Sequence, residues 1–124
     1  MEKWLYLIGG GILGTVARYV LAGAVYQKMG TDFPYGTLLV NLIGCFFIGF
    51  LDAVFEKKFL LGPNLRILLM AGFCGAFTTF STFMLETAHL IKDGESWHAF
   101  GNVMLSVVVG FIAFRFGVLL GEII

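Results

Sequence analysis

Four stretches of this chain are too long and too apolar to be anything but membrane-crossing helices, and little chain is left between them. They cover about residues 4–26, 35–55, 65–91 and 97–122. A helix needs roughly 20 apolar residues to cross a bilayer. Backbone in hydrocarbon must also satisfy its own hydrogen bonds, which helices do and open sheets do not. The expected fold is therefore an all-α membrane protein with four transmembrane helices, forming a single transmembrane domain over residues 1–124. With 13% charged residues, against about a quarter in a soluble domain, there is no room for a soluble domain. Polar turns punctuate the apolar runs: Gln27, Lys28, Gly30, Asp32 and Pro34, then Gly62-Pro63-Asn64, then Lys92-Asp93-Gly94-Glu95-Ser96.

The charge pattern narrows the class. Net charge is +0 with no basic patch, which argues against a nucleic-acid partner. Lys3, Lys57, Lys58 and Arg66 fall on one side of the membrane, with Arg115 toward that end. Lys28 and Lys92 fall on the other, with Arg18 nearer that end. The positive-inside bias is so small that both orientations could be populated. Cys45 and Cys74, both in apolar segments, read as buried free thiols. Four thin helices hardly enclose a solute path alone. The spaced glycines Gly10 and Gly14, and Gly117 and Gly121, offer faces for close helix approach, so a homo-oligomer, most simply a dimer, is expected.

The third stretch is unlike an ordinary lipid-facing helix. Gly72-Phe73-Cys74-Gly75-Ala76-Phe77-Thr78-Thr79-Phe80-Ser81-Thr82-Phe83 mixes glycines, hydroxyls and phenylalanines. Hydroxyls in hydrocarbon need partners, and irregular backbone at membrane depth is tolerated where it is buried in protein or lines a solute path. A broken third helix is expected here. Thr79, Thr82, Phe83 and Glu86 recur on one helical face. In the last span Asn102, Ser106 and Gly110 form a second polar stripe.

Each candidate has two readings on chemistry alone. Arg18 either snorkels to the membrane surface or attracts anions at a pore mouth. Asn41 is either interhelical glue or an uncharged double donor to a dehydrated anion. Phe80 and Phe83 are packing residues, or they turn their positive ring edges to a small anion. Thr78, Thr79, Ser81 and Thr82 donate to an anion or back-bond to carbonyls one turn earlier. Glu86 and His89 have the spacing of a di-iron helix pair, but the further carboxylates are lacking. Glu86 reads instead as a vestibule residue. No phosphate loop, nucleophile elbow or zinc pattern appears, so the protein is not expected to be an enzyme.

Taken together, the residues resemble the Fluc (CrcB) family of bacterial fluoride channels. Three parts carry the resemblance: Gly14-Thr15-Val16-Ala17-Arg18-Tyr19, Gly36-Thr37-Leu38-Leu39-Val40-Asn41-Leu42-Ile43-Gly44, and the run from Gly72 to Glu86. The last is the most specific. The resemblance implies an antiparallel, dual-topology homodimer in the plasma (inner) membrane with two pores per dimer. It implies a structural Na+ at the two-fold axis, held by backbone carbonyls of Gly75 and Thr78. It places Asn41, Phe80, Phe83, Ser81 and Thr82 along the fluoride path, with Asn102 and Ser106 on its far half, and Arg18 and Glu86 in the vestibule. The implied activity is passive, selective fluoride export that limits toxicity. The rival readings are a small multidrug-type dual-topology exporter, which would carry a glutamate in its first span where this chain has Arg18, and a non-conducting interaction subunit.

Overall fold

The computed structural model describes residues 1–57 and 62–124; Lys58, grouped above with Lys57 by charge, lies outside the described residues. Four long helices cover the four apolar stretches: α1 (Glu2–Met29), α2 (Tyr35–Lys57), α3 (Pro63–Lys92) and α4 (Ser96–Ile123). Each carries a window apolar enough to span a bilayer, with mean hydropathy from 1.5 to 2.4. Two chain reversals rest on glycines with positive φ, a region that only glycine enters freely. Gly30 (φ 84°) ends α1, its N–H returning to Tyr26 O. Gly94 (φ 81°) follows α3, where the Glu95 N–H caps the Leu90 carbonyl.

The helices run up, down, up, down. At one end Asn64 donates to Glu2, Arg66 pairs with Asp52 at 3.6 Å, and Lys57 donates to the Glu122 carbonyl. The α1–α2 and α3–α4 turns meet at the other end, where the Phe33 and His98 rings stand 6.0 Å apart. Trp4 and Trp97 sit exposed at the starts of α1 and α4, at the levels where amphipathic rings favour a membrane surface.

Glycine sets which helices touch. A β-carbon on Gly10 or Gly14 would collide with the carbonyl oxygens of Leu68 and Phe73 in α3. One on Gly49 or Gly117 would collide with the carbonyls of Phe114 and Phe46, joining α2 to the end of α4. Close backbone approach replaces the hydrophobic drive that lipid removes. This corrects the sequence expectation in one respect. Both spaced pairs, Gly10/Gly14 and Gly117/Gly121, are buried within the protomer, so they are not faces left over for assembly.

α3 is broken. Residues 67–74 are wound as a π-helix and residues 75–77 return to α-geometry. Thr78 (φ −93°, ψ 158°) and Thr79 (φ −148°, ψ 118°) are extended, and a regular helix resumes over Phe80–Lys92. The break therefore falls on two β-branched hydroxyl residues, which suit extended backbone. Gly75, expected to help bend the chain, is helical (φ −62°, ψ −38°). α4 has its own π-helical stretch over Leu105–Val109, the kind of widened turn that often marks a functional position; the sequence reading had no signal for it.

Candidate functional site at the helix break

Breaking a helix inside a membrane frees amides and carbonyls that need partners. Here, side chains from two neighbouring helices supply them. Asn41 of α2 pairs with Thr79 in both directions: its Nδ2 donates to the Thr79 carbonyl (3.1 Å) and its Oδ1 accepts from the Thr79 N–H (2.8 Å). This pair of hydrogen bonds fixes the orientation of the carboxamide. Arg18 of α1 donates from Nε to the Ala76 carbonyl at 3.0 Å. Thr78 Oγ1 back-bonds to the Cys74 carbonyl at 3.0 Å, and Thr79 Oγ1 accepts from the Thr82 N–H, capping the resumed helix.

Arg18 reaches a backbone carbonyl through its Nε. Asn41 is interhelical glue, yet its amide has two N–H donors and only one goes to Thr79. Asn41 also lines a shallow cavity of about 200 Å³ with Thr78, Thr79 and Phe80. The second N–H is thus available beside a phenylalanine ring.

The rerouted amides leave carbonyls behind. The Thr79 N–H goes to Asn41 rather than one turn back to Gly75, and the Thr82 N–H goes to Thr79 Oγ1 rather than to Thr78. The carbonyls of Gly75 and Thr78 are thereby released from their helical partners. One of these carbonyls belongs to the last helical residues before the break and the other to the extended pair; freed carbonyl oxygens are ligands of the kind a hard cation takes, so their chemistry fits Na+.

The other candidates divide into two groups. Arg18, Thr82 and Glu86 come together with Thr79, Tyr26 and Thr37 around a cleft of about 420 Å³ between α1, α2 and α3. Glu86 also opens on a second, polar cleft of about 470 Å³, lined by Asp32, His89, Asp93 and Glu95. Phe80 and Phe83 are neighbours, with ring centroids 5.8 Å apart and tilted by 59°. Phe80 is 73% exposed while Phe83 is buried. Ser81 and Gly75 are exposed too, so an open face runs along the break.

Asn102 and Ser106 lie away from that cleft. Asn102, 2% exposed, donates to Thr87 Oγ1 at 3.0 Å, and Thr87 donates to the Phe83 carbonyl at 2.7 Å. This chain buttresses the helix directly beneath Phe83. Ser106 Oγ is buried and has no hydrogen-bond partner among the described residues. It lies in the π-helical stretch of α4.

Three polar residues here were missed by sequence reasoning. Thr87 had a usable signal, because it continues the buried face of Phe83 and Leu90 at helical spacing. Tyr26 and Thr37 had none: Tyr26 donates to Glu86, 60 positions away, at 2.6 Å.

The family model described as CrcB-like protein, Camphor Resistance (CrcB), matches residues 5–118. Among curated relatives, the chain is 41% identical over 124 residues to a protein of Maridesulfovibrio salexigens, covering all of this chain and 98% of that one. It is 43% identical over 123 residues to one of Desulforapulum autotrophicum, covering 99% and 98%. A Geobacter protein is 49% identical over 108 residues, 87% of each chain. All three are named fluoride-specific ion channel FluC.

Proposed function

We infer that this chain, which belongs to the CrcB family, is a fluoride channel. It is a multi-pass protein of the cell membrane and not an enzyme. The observation that carries the reading is the break at Thr78–Thr79, a polar, irregular piece of backbone at membrane depth braced by side chains from α1 and α2. Such backbone has a use only where it is enclosed in protein or lines a path for a solute.

The proposed path runs along the resumed half of α3. The spare N–H of Asn41, the hydroxyls of Ser81 and Thr82, and the ring edges of Phe80 and Phe83 would replace water around the small anion. None of these groups carries a charge, so fluoride is held without being trapped. Ser106, with its buried hydroxyl lacking a partner, would extend the path on the far side, and Asn102 would act through Thr87 by holding the Phe83 segment in place.

Two finer features belong to the same proposal. An antiparallel homodimer would cover the open face at Gly75, Phe80 and Ser81 and give two pores. The weak bias of basic residues between the two ends is compatible with two orientations. A Na+ bound by the released carbonyls of Gly75 and Thr78, one pair from each subunit, would tie the protomers together at the axis and add positive potential beside an anion path. Fluoride that enters a cell as neutral HF and dissociates would then leave passively, driven by an inside-negative potential.

The test is fluoride release from proteoliposomes, followed with a fluoride electrode. Rapid release of fluoride with chloride retained is expected. No release, or chloride release at a comparable rate, rejects the channel reading. Replacing sodium with a larger cation on both sides should slow release if the Na+ proposal holds.

A further inference from the structure

Among the described residues, Tyr26 and Glu86 alone line both clefts described above. They stand where the outer, acidic cleft gives way to the inner one that reaches Thr79 and Thr82. The link between them is short: the Tyr26 phenol donates to Glu86 Oε2 at 2.6 Å. The phenol has one proton, and that bond takes it. Tyr26 oxygen therefore accepts from the Thr37 N–H (3.3 Å), and Thr37 Oγ1, also at 3.3 Å, donates to it as well. Thr37 lies in the first turn of α2, where backbone N–H groups lack helical partners and the helix dipole is positive. A chain of donors thus runs from the α2 N-terminus through Tyr26 to the carboxylate. The other carboxylate oxygen, Oε1, is buried and has no partner among the described residues.

We propose that Tyr26 is a positioning residue for fluoride passage: it holds the Glu86 carboxylate against the wall between the two clefts and passes the positive end of α2 to its charge. The proposal rests on the reading of the inner cleft as part of the anion's route. A free carboxylate at this junction would repel an anion and could swing across the opening. With the phenol in place, the negative charge is hydrogen-bonded and its side chain is confined to one position. Among the described residues, the other charged or titratable groups lining the two clefts are Arg18 and Tyr19 on α1, Asp32 in the α1–α2 turn, and His89, Asp93 and Glu95 around the end of α3.

The test is a double-variant cycle in proteoliposomes, with fluoride release as the readout. Tyr26→Phe removes one oxygen and leaves the ring. It should slow release on the order of tenfold, the factor carried by a hydrogen bond to a charged group. Tyr26→Phe/Glu86→Gln should release fluoride at the rate Glu86→Gln alone sets, because the charge that Tyr26 restrains is gone. Unchanged release in Tyr26→Phe overturns the proposal. So does the same fold loss in the Glu86→Gln background, which would make Tyr26 a packing residue only. If Tyr26→Phe folds only when combined with Glu86→Gln, the unrestrained carboxylate is the cause; release by the double variant at the Glu86→Gln rate then supports the proposal, and slower release overturns it. If neither folds, the hydroxyl serves something other than Glu86 and the proposal falls. Wild-type protein that releases no fluoride would reject the channel reading itself, a result distinct from all of these.

Discussion

Asn41→Ala is the most revealing single perturbation of the break. It removes both hydrogen bonds to Thr79 and leaves an N–H and a carbonyl without partners at membrane depth. Interhelical hydrogen bonds in membranes are worth about 0.6 kcal/mol each on average and about 1.7 at most, so the two together give roughly 1–3 kcal/mol. The loss should lower the thermal midpoint of the detergent-solubilised protein by several degrees. It should also cut fluoride release well over tenfold, because the same substitution removes the spare donor beside Phe80. Asn41→Asp tests the donor directly. The carboxylate still accepts from the Thr79 N–H but faces the Thr79 carbonyl with no donor, and it puts a negative charge where an anion should pass. A charge at that depth is costly, so both its midpoint and its release rate should fall at least as far as those of Asn41→Ala. The reasoning is refuted if Asn41→Ala keeps both the wild-type midpoint and the wild-type rate. It is also refuted if Asn41→Asp conducts like the wild type.

Other outcomes follow from the same geometry. Gly117→Val should lose folded protein on size-exclusion chromatography, because a side chain there meets the Phe46 carbonyl and overpacking costs about 1–3 kcal/mol; Gly11→Ala, with open space around it, should be neutral in the same assay. Thr79→Val removes the cap on the Thr82 N–H and should cost about 1 kcal/mol, read as a lower thermal midpoint, with Thr79→Ser restoring it. Arg18→Leu leaves the Ala76 carbonyl without its donor and should weaken both stability and flux, whereas a purely electrostatic Arg18 would be rescued by Lys, which lacks the planar fork; partial or no rescue by Arg18→Lys is expected.

The four helices were readable because apolar length is a local property: the observed ends at 2–29, 35–57, 63–92 and 96–123 differ from the expected ones by no more than a few residues. The existence of the break was readable for a similar reason, since hydroxyls and glycines crowd one segment. Its position was readable only in part. Of Gly75 and Thr78, Gly75 stays helical and the chain opens at Thr78–Thr79, because Asn41 and Arg18 arrive from other helices to satisfy the backbone there. Partners 38 and 58 positions away in sequence leave no periodic trace. The same holds for Tyr26, whose tie to Glu86 exists only once α1 and α3 are side by side. The glycine pairs show the opposite failure. Their spacing announced close helix contact correctly, but contact within a protomer and contact between protomers have the same sequence signature.

The central claim is that this chain passes fluoride passively and in preference to chloride. The most direct measurement is the zero-current potential of protein-containing bilayers under a tenfold fluoride gradient, with chloride equal on both sides. A fluoride-selective channel predicts a potential close to the value for a single charge, about 59 mV per tenfold, with the sign set by the fluoride gradient. A zero-current potential near zero, with current carried by chloride, would contradict the account.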